Sequence, residues 1–141
     1  MTSRGLAEAL LAEVLAAHGG TQRWQSLQRL EAQVSAWGLL FRAKRRPLLN
    51  HQRLRVSTRE PLVWFDDYPK PGLTGELQGV AAVRIRDAAG AIVEQRSEPR
   101  AYFRSLRRQL SWDDLDFLYF AGYAIWNYLT APFLLLRPDA V

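Results

Sequence analysis

Apolar residues along the chain fall into three successive rhythms. Leu6, Leu10, Leu11, Val14 and Leu15 repeat at helical spacing, with Glu8 and Glu13 between them. This predicts an amphipathic N-terminal helix with Ser3 as N-cap and Gly19-Gly20 as its end. His18 falls in the last turn, where a partly charged imidazole suits the negative end of the helix dipole. Thr21 is placed to cap a second short turn carrying Trp24 and Leu27.

From Leu30 the period becomes two. Leu30, Ala32, Val34 and Ala36 share one face, and Glu31, Gln33, Ser35 and Trp37 the other. Gly38 predicts a bulge or bend, with Leu39, Leu40 and Phe41 continuing the strand into a basic loop at Arg45-Arg46-Pro47. A second strand is expected over 52–59, with Leu54, Val56 and Thr58 opposite Arg53, Arg55, Ser57 and Arg59. Pro61 ends or edges it, and Leu62 to Phe65 is a further short strand. Residues 66–72 hold turn formers, so Asp66 and Asp67 read as turn residues rather than an acid/base pair. Alternation returns over Val80 to Asp87, and Asp87-Ala88-Ala89-Gly90 turns the chain into a partner strand over Ala91 to Arg96. Ser97 to Arg108 is polar and basic.

The third rhythm is a helix from Trp112 to about Thr130. Ser111 is its expected N-cap, and Asp113 and Asp114 fall in its first turn. Pro132 stops it, and Phe133 to Leu136 reads as a buried strand. Residues 112–133 hold eight of the chain's 16 aromatics. From Leu115 to Leu136 there are 22 residues with one charge, Asp116, a length that could span a bilayer. Asp116, Asn127, Thr130 and Pro132 argue against a span. At 100° per residue Asp116, Tyr123, Asn127 and Thr130 form one narrow polar strip, and every other direction is greasy or small. Such a helix is buried on most sides. Its strip either bonds neighbouring backbone or meets a ligand in a cavity.

The whole is an α+β class: a curved antiparallel sheet, an incomplete half-barrel of five or six strands, carrying an N-terminal amphipathic helix and an aromatic C-terminal helix. At 141 residues one domain over 1–141 is expected. Apolar residues make up 48% and charged ones 23%, which sets disorder aside. There is no cysteine, so disulfide scaffolds and thiol chemistry are excluded. Two histidines, His18 and His51, leave little for a metal site, and no metal or cofactor is expected.

Net charge is +5, and its source is local. Seven basic residues lie between Arg42 and Arg59 with no acidic one, so the remainder sums to −2. Such a stretch is either a solvated surface or an attractor of phosphate, on nucleic acid, on lipid headgroups or on a free ligand. Against nucleic acid, the aromatics that would stack on bases lie mostly outside it. The N-terminus lacks the layout of a secretory leader, so a cytoplasmic location is expected unless a leader was removed upstream. Asp113, Asp114, Asp116 and His51 could serve acid–base chemistry, but the first two are better explained as helix-start residues. No phosphate loop, nucleophile elbow or metal motif is present, so no catalytic residue is assigned.

His18-Gly19-Gly20 leading into Trp24 and Leu27, then a long alternating strand, resembles the opening of LolA-like lipoprotein-carrier domains. The run from Trp112-Asp113-Asp114-Leu115 through Tyr119-Phe120-Ala121-Gly122-Tyr123 to Thr130-Ala131-Pro132-Phe133 resembles a segment of uncharacterised bacterial proteins of that type. The resemblance implies a half-barrel wrapped over helices around a cavity for acyl chains, with no catalytic residue. The strands are few for a half-barrel, which implies an N-terminal portion of a larger one, or a second copy or partner chain completing the sheet. The expected function is therefore non-enzymatic binding of a lipid or other apolar ligand. Trp37, Phe41, Trp64, Phe117, Phe120, Tyr123 and Trp126 would line the site, with Arg53, Arg55 and Arg59 at its rim for an anionic headgroup. Peripheral membrane contact and a homodimer are further expectations. The alternative readings are an interaction module pairing through its aromatic helix and open sheet edge, and phosphate or nucleic-acid binding by the 42–59 hairpin.

Overall fold

The computed structural model describes residues 2–46, 48–103 and 111–137. The elements run α1 (Ser3–Ala17), α2 (Thr21–Ser26), β1 (Arg29–Ala36), α3 (Leu39–Ala43), β2 (Leu49–Ser57), β3 (Leu62–Asp66), β4 (Thr74–Gln78), β5 (Ala82–Arg86), β6 (Ile92–Ser97), α4 (Pro99–Phe103) and α5 (Asp114–Thr130), then a 3-10 turn, Phe133–Leu136. The six strands form one antiparallel sheet in sequence order. β1 and β6 are its edges, so the sheet is open and the class is α+β as expected.

Period-two alternation assigns the two faces. Leu54, Val56, Val63, Phe65, Leu77, Val83 and Ile85 point to one side, where they meet Leu115, Phe117, Leu118, Ala121, Ile125 and Trp126 of α5 in a single core. α5 lies across β3, β4 and β5. The other face carries a transverse row in register from β1 to β6, five polar residues and one indole: Glu31, Arg55, Trp64, Glu76, Arg84 and Gln95. Its charges answer one another, as cross-strand pairs do. Arg86 bonds Glu76 at 2.9 Å, Arg55 bonds Asp66 at 2.8 Å, and Arg84 bonds Gln95 at 2.7 Å. α1 buries only Leu15 and leaves Leu6 and Leu10 exposed. Its end is as expected: Gly19 has φ +95 and the Gly20 N–H bonds Leu15 O at 2.9 Å.

Several expectations are corrected. The first strand stops at Ala36, and Leu39, Leu40 and Phe41 form α3 instead of extending it. Three consecutive apolar residues cannot all face inward on a strand. Leaving the sheet at Gly38 (φ +154) lets Phe41 reach Phe117 at 5.5 Å. β4 was not foreseen, because its inward positions are Gly75 and Leu77 and so give no alternating apolar signal. β2 spans Leu49–Ser57 rather than 52–59, which puts Thr58 and Arg59 in the following bend. Thr2, not Ser3, caps α1 through its hydroxyl. Gly20 occupies the N-cap of α2. Asp113, not Ser111, caps α5, in a reciprocal box with Asp116. Phe133 to Leu136 is a 3-10 turn, with Phe133 stacked on Trp24 at 4.3 Å. The expected loop residue Pro47 and the stretch 104–108 lie outside the described residues, as does the tail from Pro138. Among the described residues no helix is long and apolar enough to cross a membrane.

Candidate functional site

An apolar pocket of about 340 Å³ opens between the end of β1, α3 and the middle of α5. Its floor is Val34, Ala36 and Leu49 from the inward face of β1 and β2. Ala121 and Ala124, the small side chains of α5, leave the space, and Phe120 and Tyr128 bound it on that helix. Trp37, Leu40 and Phe41 close the opposite side. None of its twelve described lining residues is charged. Its size is at the small end of the ~300–1,000 Å³ typical of small-molecule sites.

The wall made by α3 is tethered to the start of α5. Arg46 forms an ion pair with Asp114, the Trp112 N–H bonds Lys44 O at 3.4 Å, and the Lys44 ammonium sits 5.6 Å over the Trp112 ring. Trp112 in turn packs on Phe120 at 4.8 Å. The Tyr68 hydroxyl donates to Asp114 O at 3.2 Å from below. Burial, and then the nearby Asp114 carboxylate, push the Tyr68 phenol well above its ordinary pKa of 10.0.

Of the expected ligand residues, the structure brings Trp37, Phe41 and Phe120 together in this pocket. Phe117 is a core residue stacked near Tyr68 at 5.7 Å. Trp126 is also buried, its indole N–H bonded to Ser57 O at 3.0 Å. Tyr123 is half-buried beside Tyr119. Burial, then Tyr119, raise its phenol pKa. Trp64 lies on the opposite face of the sheet, between the Arg29 and Arg55 guanidinium groups at 5.3 and 5.9 Å. Pattern reading missed the other nine lining residues, and most of them, Val34, Leu49 and Ala124 among them, carry no chemical signature beyond apolarity. Ala124 and Tyr128 do share one helix face with Phe120 and Ala121.

The arginines do not form one rim. Arg53 and Arg55 lie on the outer face, facing Gln33 and Glu31, in a polar groove of about 440 Å³ that also holds Asp66. The sheet separates them from the apolar pocket. That groove is the larger of the two, but carboxylates already neutralise much of its positive charge. Arg59 is in the bend after β2, where it donates to Gln25 O and lines a mixed cleft with Trp24 and Phe133. The polar strip of α5 is likewise divided. Asp116 is buried against Arg96 at 2.6 Å, Thr130 donates to Trp126 O at 2.6 Å, and Asn127 is exposed.

The carboxylates considered for acid–base chemistry are engaged in structure. Asp113 and Asp116 cap α5 and receive Arg96, while Asp114 receives Arg46. Asp67 accepts from the Gly72 N–H at 3.0 Å, a turn role as expected. His51 is exposed at φ +49 on β2. Among the described residues no group of three or more His, Cys, Asp or Glu is placed to hold a metal ion. Comparison with protein-family models, with curated proteins and with solved structures finds no match to this chain.

Proposed function

We propose that the chain is a non-enzymatic binding module that holds an apolar tail, of the kind an acyl lipid carries, in the pocket between β1, α3 and α5. One observation carries the reading: an open space of about 340 Å³ with no charge among its described lining residues, left by Ala121 and Ala124 on an aromatic-rich helix. Polar solutes gain nothing in such a lining, whereas each buried methylene stabilises a ligand by ~0.8 kcal/mol. Any anionic head would extend past the mouth toward α3, not toward Arg53 and Arg55 behind the sheet.

The test is a titration of the detergent-free protein with a dansyl-labelled fatty acid. Saturable one-to-one binding is expected, weakening roughly 15-fold when the chain is shortened by two methylenes. Ala124→Trp fills the pocket and should abolish it. Unchanged binding by that variant, or affinity independent of chain length, overturns the reading.

A second reading is favoured by β6, an edge strand with exposed Ile92 and Val93. Pairing through that edge predicts a dimer whose association is lost in Val93→Lys, measured by analytical ultracentrifugation.

A further inference from the structure

Around the pocket mouth the apolar side chains continue onto the surface. Trp37 is 76% exposed, Leu39 80% and Tyr128 80%, and Leu40 is exposed beside them. Scattered exposed apolar residues are ordinary, but these are not scattered. Trp37, Leu40 and Tyr128 border one pocket, and Leu39 neighbours Leu40 on α3. Arg42 lies in the last turn of the same helix, and Arg45 follows it at φ +57. Both are exposed and neither forms an ion pair with a described residue. They open the 18-residue stretch that holds seven basic residues and no acidic one.

We propose that this apron, Trp37, Leu39, Leu40 and Tyr128 with Arg42 and Arg45, docks the protein on an anionic lipid surface. An indole and a phenol suit the headgroup boundary, where one end of the ring is wet and the other dry. The two leucines supply apolar insertion, and the two arginines meet anionic headgroups. A two-fold pairing of copies through this face would bring four arginines, Arg42 and Arg45 of each copy, into one interface with no carboxylate among the apron residues to answer them. A nucleic acid would engage the arginines but leave Leu39 and Leu40 bare. The docking goes beyond the pocket reading: it rests on exposure and charge, and holds whether or not the pocket takes a ligand.

The test is co-sedimentation of the full chain with vesicles of phosphatidylcholine, with and without phosphatidylglycerol. The wild type is expected to favour the anionic vesicles by roughly tenfold or more, since each surface cation contributes about fivefold. Arg42→Glu with Arg45→Glu should erase that preference. Leu39→Glu should lower binding to anionic vesicles by tenfold or more, because it removes inserted apolar area and adds a negative charge beside Arg42. Its urea midpoint, expected to be unchanged for so exposed a position, shows that folding is intact. The proposal is overturned if wild-type protein ignores anionic vesicles or if Leu39→Glu sediments like wild type. A lipid-free dimer broken by Leu39→Glu, or an oligonucleotide preferred over vesicles and indifferent to Leu39→Glu, also overturns it.

Discussion

Gly122 of α5 rests on Leu77 of β4 so closely that a Cβ placed on it would lie 2.9 Å from the Leu77 Cβ. One turn earlier the notch is reversed: a Cβ on Gly75 of β4 would meet Leu118 Cδ2 of α5 at 2.5 Å. Helix and strand thus interlock, each lending a glycine to the other's leucine. Leu77 and Leu118 are both almost wholly buried.

Gly122→Ala should therefore destabilise. Alanine gains up to ~1 kcal/mol of helix propensity, but overpacking costs ~1–3 kcal/mol. A net loss of about 1 kcal/mol is expected in urea denaturation. Leu77→Ala alone should cost ~2–5 kcal/mol. The double variant should cost less than the sum, because Leu77→Ala removes the Cδ2 that the new methyl would meet at 2.9 Å, although the Cβ stays. Strict additivity would show that the two residues are not in tight contact.

Arg96 leaves the edge strand β6 to bond Asp113 and Asp116 at 2.6 Å each, where α5 begins. The Asp113 carboxylate, more than any other neighbour, raises the Arg96 pKa. Arg96→Met strands the buried Asp116 charge and should cost ~3 kcal/mol. Pairing it with Asp116→Asn should restore much of that loss. Hydrogen exchange should show β6 and the first turn of α5 loosening together in the single variant.

Tyr68 predicts alkaline sensitivity. Its folded pKa lies above 10.0, so above about pH 10 the unfolded chain sheds this proton while the folded chain keeps it. Stability is full below the unfolded pKa and falls as pH rises toward the folded one. Tyr68→Phe should flatten that fall, and at neutral pH should cost ~1 kcal/mol for the lost bond to Asp114 O. Urea midpoints at neutral and strongly alkaline pH, for both proteins, measure the difference. Equal alkaline slopes would sink the assignment.

Trp126→Phe keeps most of the apolar volume but removes the donor to Ser57 O. The orphaned buried carbonyl should cost ~1–3 kcal/mol in the same assay.

Much of the architecture was legible from local pattern. The β5–β6 hairpin follows from its alternation and from Asp87, whose carboxylate accepts from the N–H groups of Ala89 and Ala91. The reading of α5 as buried on most sides also holds, because apolar residues fill nearly every direction around it. β4 is illegible for the reason that makes it important: one of its two inward positions is a glycine, which admits Leu118 but gives no apolar alternation. α3 was misread because Leu39, Leu40 and Phe41 are apolar in any conformation. Only their destinations, solvent for Leu39 and the Phe117 ring for Phe41, separate helix from strand.

The candidate site divides in the same way. Sequence by itself determined the amphipathic period of the strands, the greasy helix and the charge excess at 42–59, since each depends on neighbours a few residues apart. Tertiary structure decided which aromatics meet. Phe41 and Phe120 share a pocket although 79 positions separate them. Arg53 and Arg55 fall on the far side of the sheet from that pocket, and Asp114 is taken by Arg46. Sequence period tells whether a side chain faces in or out. Which distant side chain it then meets is fixed by the crossing of α5 over the sheet, where Gly75 and Gly122 let the backbones approach.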